Sequence, residues 1–403
     1  MLLTNFQIFF VKVHPSTMFG DFKILKKCKT TNARVSQFTL NNNTLDLPIF
    51  MPVGTYGAIK GVPTEDLKEQ MILSNTYHLR DLNKNVKDFM NWKGSMLTDS
   101  GGFQIGSLPN VEVKEEGVLF DGKLFTPEES MDIQMQLGAD IIMQLDEVVN
   151  PNDSLDKIEV ASKRSIRWLD RCIQQVYGEK SDEVKRTKKE FLPEIKLENK
   201  KQILFPIVTG GLDEKLRQYS IDEIIKRKPK GLAIGGLSGG EAKSEFARTV
   251  LYCTTNLPDN IPRYVMGVGY PEDIVICSAL GTDMSDCVYP TRTARFGRIF
   301  TDSGDIYISN KHRFDLNRNE ECDCSTCSQY SLAYLSMIKG TSNFCRLTTT
   351  HNMHYMRNLT KRIREAILED RYPEFIKSYM KNRYKVVPEW IIEVLKKVNV
   401  MIN

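Results

Sequence analysis

Between Ile203 and Thr291 four short apolar runs follow one another, each ending in small or polar residues: ILFPIVTGG (Ile203–Gly211), GLAIGGLSGG (Gly231–Gly240), RYVMGVG (Arg263–Gly269) and DMSDCVYPT (Asp283–Thr291). A brief β-prone run that stops at Gly, Ser, Thr, Asn or Asp reads as a buried strand. Four more precede them: IFMPVGT (Ile49–Thr55), MILSNTY (Met71–Tyr77), SMLTDSGG (Ser95–Gly102) and DIIMQLDE (Asp140–Glu147). Between the runs lie segments whose apolar residues recur at three- and four-residue spacing, such as Leu155–Val176 and Glu272–Gly281, which is the signature of helices packed on one face. Strands alternating with crossover helices specify a parallel sheet, and eight repeats predict an α/β fold, the (β/α)8 TIM barrel. Such barrels place their chemistry at the C-terminal ends of the strands, so Asp99, Asp146 and Asp286 are expected to share one mouth.

The barrel is expected over residues 49–300, after an N-terminal extension and lead-in segment at 1–48. A zinc-binding subdomain and C-terminal helices that complete the barrel are expected over 301–403. The zinc expectation rests on C-x-C-x2-C at Cys322, Cys324 and Cys327 with His351 further on. Three thiolates and one imidazole supply the closed tetrahedral shell of a structural zinc ion, Zn2+. His354, about one helical turn beyond, is the alternative fourth ligand.

Bulk properties exclude more than they assign. A formal charge of +4 over 403 residues is too mild to mark a nucleic-acid binder by itself, because phosphate recognition needs local basic clusters. Nine cysteines, scattered apart from one tight group, argue for a reducing compartment and against a disulfide framework. Cys172, Cys253, Cys277 and Cys287 read as small core hydrophobes;. The opening MLLTNFQIFFVKV is too short to span a bilayer and lacks the features of a secretory or transit peptide;. A soluble, cytoplasmic protein without a transmembrane segment is expected, with Met18 as a candidate true start. The Lys- and Glu-rich stretch Gly178–Lys201 reads as a solvated insertion;.

Three carboxylates on one rim suit displacement at a sugar carbon, where one acid attacks the anomeric centre and another manages the proton of the departing group. In order along the chain stand DSGGFQ (Asp99–Gln104), MQLDE (Met143–Glu147), GGLSGGE (Gly235–Glu241), MGVG (Met266–Gly269), DCVYPTRTARFG (Asp286–Gly297), and the cysteine motif with a later His-Asn pair. With these motifs the chain, from about Ile49 to its C-terminus, resembles the tRNA-guanine transglycosylase family, its eukaryotic queuine-using branch in particular.

The resemblance implies a zinc-bearing (β/α)8 barrel that exchanges guanine at the wobble position of GUN anticodons for a 7-deazaguanine. It implies Asp286 as the nucleophile on the ribose, Asp99 as the general acid/base, and a covalent ribosyl-aspartate intermediate;. The base pocket it implies comprises Ser100, Gly101, Gly102, Phe103, Asp146, Thr209, Gly236, Leu237, Gly239 and Met266. The chemistry agrees: an ionised Asp146 would accept both the N1 and exocyclic N–H groups of guanine. Glycine lets the backbone at Gly236 approach the base, and Phe103 and Met266 offer an aromatic ring and a polarizable thioether to its faces. Gly239, where bacterial relatives carry a bulkier apolar residue, and Val148 after LDE point to free queuine, with its cyclopentenediol arm, as the incoming base.

Gly267, Tyr270, Asp273, Thr291, Arg292 and Arg295 are the RNA-contact residues that the resemblance implies, the arginines holding phosphates or stacking on splayed anticodon bases. The correspondence of the His-Asn pair favours His351 as the zinc ligand. The resemblance also implies a dimer with a homologous non-catalytic subunit and an association with the outer face of mitochondria. Thr209 stands where the family usually has glutamine, and Ser285 where it has an aromatic residue. Two other readings compete: a non-catalytic tRNA-binding partner subunit, which would be expected to have lost Asp286 and Asp99, and a barrel glycosidase, which leaves the Asp146 and GGLSGG pocket without a purpose.

Overall fold

The computed structural model describes residues 19–41, 43–178, 201–316 and 322–402. The first seventeen residues and most of the 178–201 insertion therefore lie outside the described residues. The barrel strands are β1 (Ile49–Gly54), β2 (Met71–Asn75), β3 (Ser95–Asp99), β4 (Ile141–Met143), β5 (Ile203–Phe205, continued at Ile207–Val208), β6 (Leu232–Ile234), β7 (Arg263–Val265) and β8 (Met284–Cys287). Every neighbouring pair is parallel, and β8 pairs with β1 from Met284 against Ile49 to Cys287 against Pro52, which closes the sheet.

The eight expected runs thus become nine strand segments, because Pro206 interrupts β5. Proline has no N–H for the ladder. Its carbonyl still accepts from Ala233 N (2.8 Å), and the next amide, Ile207 N, donates to Gln144 Oε1 (2.8 Å). One half of β5 pairs with β4 and the other with β6, so the break turns the strand without opening the barrel.

Between β1 and β2 the structure has only a single 3-10 turn, Thr64–Asp66, in place of a crossover helix. The long helix Ser342–Leu368 packs on β1, where Arg364 Nη1 donates to Pro48 O (2.7 Å) and Arg357 reaches Glu69 (3.3 Å). The other expected helices run Leu155–Tyr177 and Pro271–Leu280, the latter closed by Gly281 at φ 103°, a left-handed cap that glycine adopts without strain.

A three-stranded antiparallel meander, Phe22–Lys27, Arg34–Leu40 and Asn43–Leu47, precedes β1. Its side chains Phe38, Leu40, Leu45 and Leu47 are buried in one cluster with barrel residues Met71, Leu97, Met143, Phe205 and Met284. Arg34 fixes it further by gripping the buried Asp283 with two hydrogen bonds, 2.9 and 2.6 Å. This plug fills the end of the barrel where the strands begin, leaving the opposite mouth for chemistry. Among the described residues no helix is long and apolar enough to cross a membrane.

Candidate active site and metal centre

Asp99 ends β3, and its carboxylate is held from the neighbouring strand end. Asn75 Nδ2 donates to Oδ2 (2.6 Å), while Thr76 N (3.0 Å) and Gly101 N (3.3 Å) donate to Oδ1. These bonds favour the charged form, but burial works the other way, and the nearby charge of Asp286 adds to it. The net result raises the Asp99 carboxyl to about 7. An acid poised there gives up and takes up a proton with equal ease at neutral pH.

Asp286, in β8, is fixed through one oxygen only. Oδ1 accepts from Tyr264 Oη (2.5 Å) and from Gly267 N (2.9 Å). Among the described residues Oδ2 accepts no hydrogen bond, so its lone pairs are free to attack. Burial raises this carboxyl too, against those two bonds. Tyr264 and Asn75 were not singled out in the sequence. A tyrosine inside a barrel strand was the available signal, since a buried phenol needs a polar partner.

Asp146, beyond β4, lies against the Asp99 loop: a Cβ on Gly102 would sit 2.8 Å from Asp146 Oδ1. Gly102 must therefore lack a side chain for the DSGG and LDE motifs to meet. Burial raises Asp146 to about 7, opposed only by its own backbone N–H. Unfolded, the same group ionises near 4. Its proton is thus held more tightly in the fold, and stability falls as pH rises from about 4 through 7. Asp146→Asn should raise the melting temperature by a few degrees at pH 8, with the gain shrinking towards pH 5. Equal melting temperatures at both pH values would reject a buried carboxylate with no side-chain partner here.

The rest of the expected base pocket falls on the ends of β3, β5, β6 and β7. Ser100 is buried and caps its loop, its Oγ accepting from Gly102 N (3.1 Å), while Gly101 takes φ 87°. Phe103 is 69% exposed and stands open at the start of a short helix. Met266 packs near Gly235, where an added Cβ would lie 3.2 Å from its sulfur. Thr209 is buried and its hydroxyl has no partner. Gly236 (φ 64°) and Ser238 (φ 60°) turn the chain after β6, and Glu241 accepts from Ser238 N (2.6 Å) and Gly239 N (2.9 Å). At Gly239 the backbone lies close to the Asn150–Pro151 turn: a Cβ there would lie 2.6 Å from Pro151 Cδ, and Asn150 Nδ2 donates to Gly239 O (3.1 Å).

The residues expected at the RNA divide. Arg292 is exposed, and Tyr270 is 41% exposed with Lys243 over its ring. Arg295 is half-buried and donates to Thr291 O (2.8 Å). Three others have partners within the protein. Gly267 uses its N–H on Asp286. Asp273 is buried in the first turn of its helix and paired with Lys243. Thr291 is buried, with its hydroxyl on Val288 O (3.1 Å). Both of these last two side chains are buried in the free protein. Cys172, Cys253 and Cys277 are core residues, whereas Cys287 is only half-buried beside Asp286.

In the C-terminal part of the chain, the ligand atoms of Cys322, Cys324, Cys327 and His351 all lie within 4.8 Å of one another. The three sulfurs are 3.7, 3.6 and 3.1 Å from His351 Nδ1. His351 Nε2 sits 2.8 Å from Phe300 O. A proton on Nε2 bonded to that carbonyl leaves Nδ1 as the metal-binding nitrogen. His354 turns instead to Asp323 (2.7 Å). Three soft thiolates with one imidazole fit a tetrahedral metal and are compatible with zinc.

A family model described as queuine tRNA-ribosyltransferase matches residues 28–385. The queuine tRNA-ribosyltransferase catalytic subunit of Schizosaccharomyces pombe is 42% identical, over 94% of this chain and 97% of the yeast protein. The protein of that name from Caenorhabditis elegans is 41% identical over 87% of this chain and 88% of its own length. The queuine tRNA-ribosyltransferase of Aliivibrio salmonicida is 38% identical over 91% and 98%. A closed parallel barrel with three strand-end aspartates, a Cys3His cluster and near full-length similarity lead to one conclusion: this chain belongs to the queuine tRNA-ribosyltransferase family, the tRNA-guanine transglycosylases.

Proposed function

We propose that this enzyme replaces guanine at the wobble position of GUN-anticodon tRNAs with queuine through a ribosyl-aspartate intermediate. The observation that carries the reading is the pair Asp99 and Asp286, one poised near neutrality and the other with a free oxygen, on strands β3 and β8 of one barrel and close enough for the charge of one to raise the other. Asp286 Oδ2 attacks C1′ of the ribose. The C1′–N9 bond breaks, its electron pair leaves with guanine, and Asp99 supplies the proton. The incoming base then gives a proton to Asp99, its nitrogen attacks C1′, and the bond to Asp286 breaks. Two displacements retain the sugar configuration. Tyr264 and Gly267 stabilise the Asp286 carboxylate as the leaving group of the second step.

Asp146 receives the two adjacent donors of the base, which its unpartnered carboxylate lacks in the free protein;. Phe103 and Met266 take the two faces of the base, and Ser100, Gly236, Leu237 and Gly239 complete the pocket. Queuine as the incoming base is supported by the names of the relatives. With Pro151 against Gly239, a side chain at position 239 is excluded, which supports a pocket that keeps room for the arm of the base. Arg292, Tyr270 and Arg295 are the RNA contacts on the same side as Asp286. Zinc held by the Cys3His cluster is structural and keeps the C-terminal subdomain folded.

The partner is a homologous non-catalytic subunit, and exposed apolar side chains at Phe296, Phe314, Leu316 and Met337, on segments flanking the metal cluster, support a docking face there;. Exchange of labelled guanine out of a GUN tRNA, with queuine added and the candidate subunit present or absent, tests the whole reading. Release only with queuine and only from GUN tRNAs is expected; no release in either state overturns it.

Thr209 carries a separate expectation. Its orphaned hydroxyl is too short to reach the base as the usual glutamine amide would. One such bond is worth about 0.5–1.5 kcal/mol. Thr209→Gln should therefore lower KM for the base several-fold with kcat little changed, and an unaltered KM would count against the gap.

A further inference from the structure

Behind the base pocket lies a fully buried arginine that, among the described residues, forms no salt bridge, although the Glu241 charge and the Cys253 thiol act on it. Arg217, on the helix Glu214–Lys226, is 0% exposed, and among the described residues no salt bridge involves it. Its donors go instead to backbone carbonyls: Nε to Gly211 O (2.9 Å), Nη1 to Val208 O (2.8 Å) and Gly235 O (2.8 Å), and Nη2 to Gly236 O (3.5 Å). An unpaired buried cation is costly, and burial draws the Arg217 pKa down. Several carbonyl acceptors offset that cost, in a fork that lysine cannot reproduce.

The carbonyls belong to two strand ends only. Val208 and Gly211 flank Thr209 and close β5; Gly235 and Gly236 close β6. One turn along the same helix, the fully buried Ser220 Oγ accepts from Thr209 N (3.1 Å). Gly210 and Gly211 take φ 137° and 56° around this contact. A Cβ on Gly210 would lie 2.7 Å from Arg217 N, so the loop is pressed onto the helix.

We propose that Arg217 is a positioning residue that, with Ser220, sets the backbone at Thr209 and Gly235–Leu237 to receive the incoming base. The inference rests on the reading of this mouth as a base-exchange site. Arg217 touches no substrate and acts only through those peptide groups. Its loss therefore weakens recognition of the free base more than recognition of tRNA, whose phosphates and flanking nucleotides bind on the β8 side.

The test is steady-state exchange with Arg217→Lys and Ser220→Ala, measuring KM for the free base and for tRNA separately, alongside melting temperature. KM for the base should rise at least tenfold in R217K and a few-fold in S220A, with KM for tRNA within twofold of wild type. Equal changes in both KM values, or a fall in kcat with the base KM unmoved, would make the arginine a scaffold residue and overturn the proposal. If R217K does not fold, S220A decides by the same split. Absence of exchange in the wild-type protein would instead reject the base-exchange reading itself, and so is distinguishable from either result.

Discussion

Asp286→Asn is expected to abolish base exchange, lowering kcat by a factor on the order of 10^4 to 10^6, as loss of a catalytic nucleophile does. The amide is nearly isosteric, and its oxygen can keep the bonds from Tyr264 Oη and Gly267 N. The fold should then survive while the second oxygen's lone pairs are replaced by a weakly nucleophilic amide. The measurement is a denaturing gel of the protein mixed with GUN tRNA and a base analogue that cannot complete the exchange. Wild type should carry a covalent RNA adduct and the variant none. An adduct of equal yield in Asp286→Asn would move the nucleophile elsewhere on the rim and sink the assignment.

The second large effect concerns the metal centre. Stripping the metal, or Cys324→Ser, should unfold the C-terminal subdomain and remove activity with it. Structural zinc sites contribute about 10–16 kcal/mol in peptide models. The damage should also reach the nucleophile's own segment. His351 is tied to Phe300 O, and Asn352 beside it bonds Phe300 N (3.0 Å), Pro290 O (2.9 Å) and Arg298 O (3.0 Å). Thr348 Oγ1, a turn earlier, donates to Ala294 O (3.0 Å). Hydrogen exchange over residues 289–300 should accelerate when the metal is lost. A chelated protein that keeps its melting temperature, its protection and its exchange activity would contradict a structural metal.

Particular residues show why the barrel was legible and parts of the site were not. The interior strands are short and buried on both faces, so they appear as continuous apolar runs, and their polar ends mark the mouth. Pro206 was visible in ILFPIVTGG, yet its effect depended on Gln144, 62 residues earlier, offering a side chain to the orphaned ladder. The N-terminal plug escaped notice because the residue types of FKILKK (Phe22–Lys27) do not alternate cleanly between apolar and polar, although their burial does. The helix missing after β1 is supplied from Ser342–Leu368, nearly 300 residues away, and no local pattern encodes such a replacement.

Within the site, the strand-end acids and the Cys3His cluster are chemistry-bearing residues at fixed spacings, and the amino-acid order alone marked them together with the closed barrel. Side-chain identity is written in the chain; environment is not. That Asp99 and Asp146 are held near 7, that Asp286 is gripped by one oxygen, and that Asp273 and Thr291 are buried were decided only by tertiary structure. So were the close approach of Pro151 to Gly239 and Arg217 holding two strand ends from behind. Burial, close approach and the competition of hydrogen bonds for one carboxylate arise from groups far apart in sequence that meet only when the barrel closes.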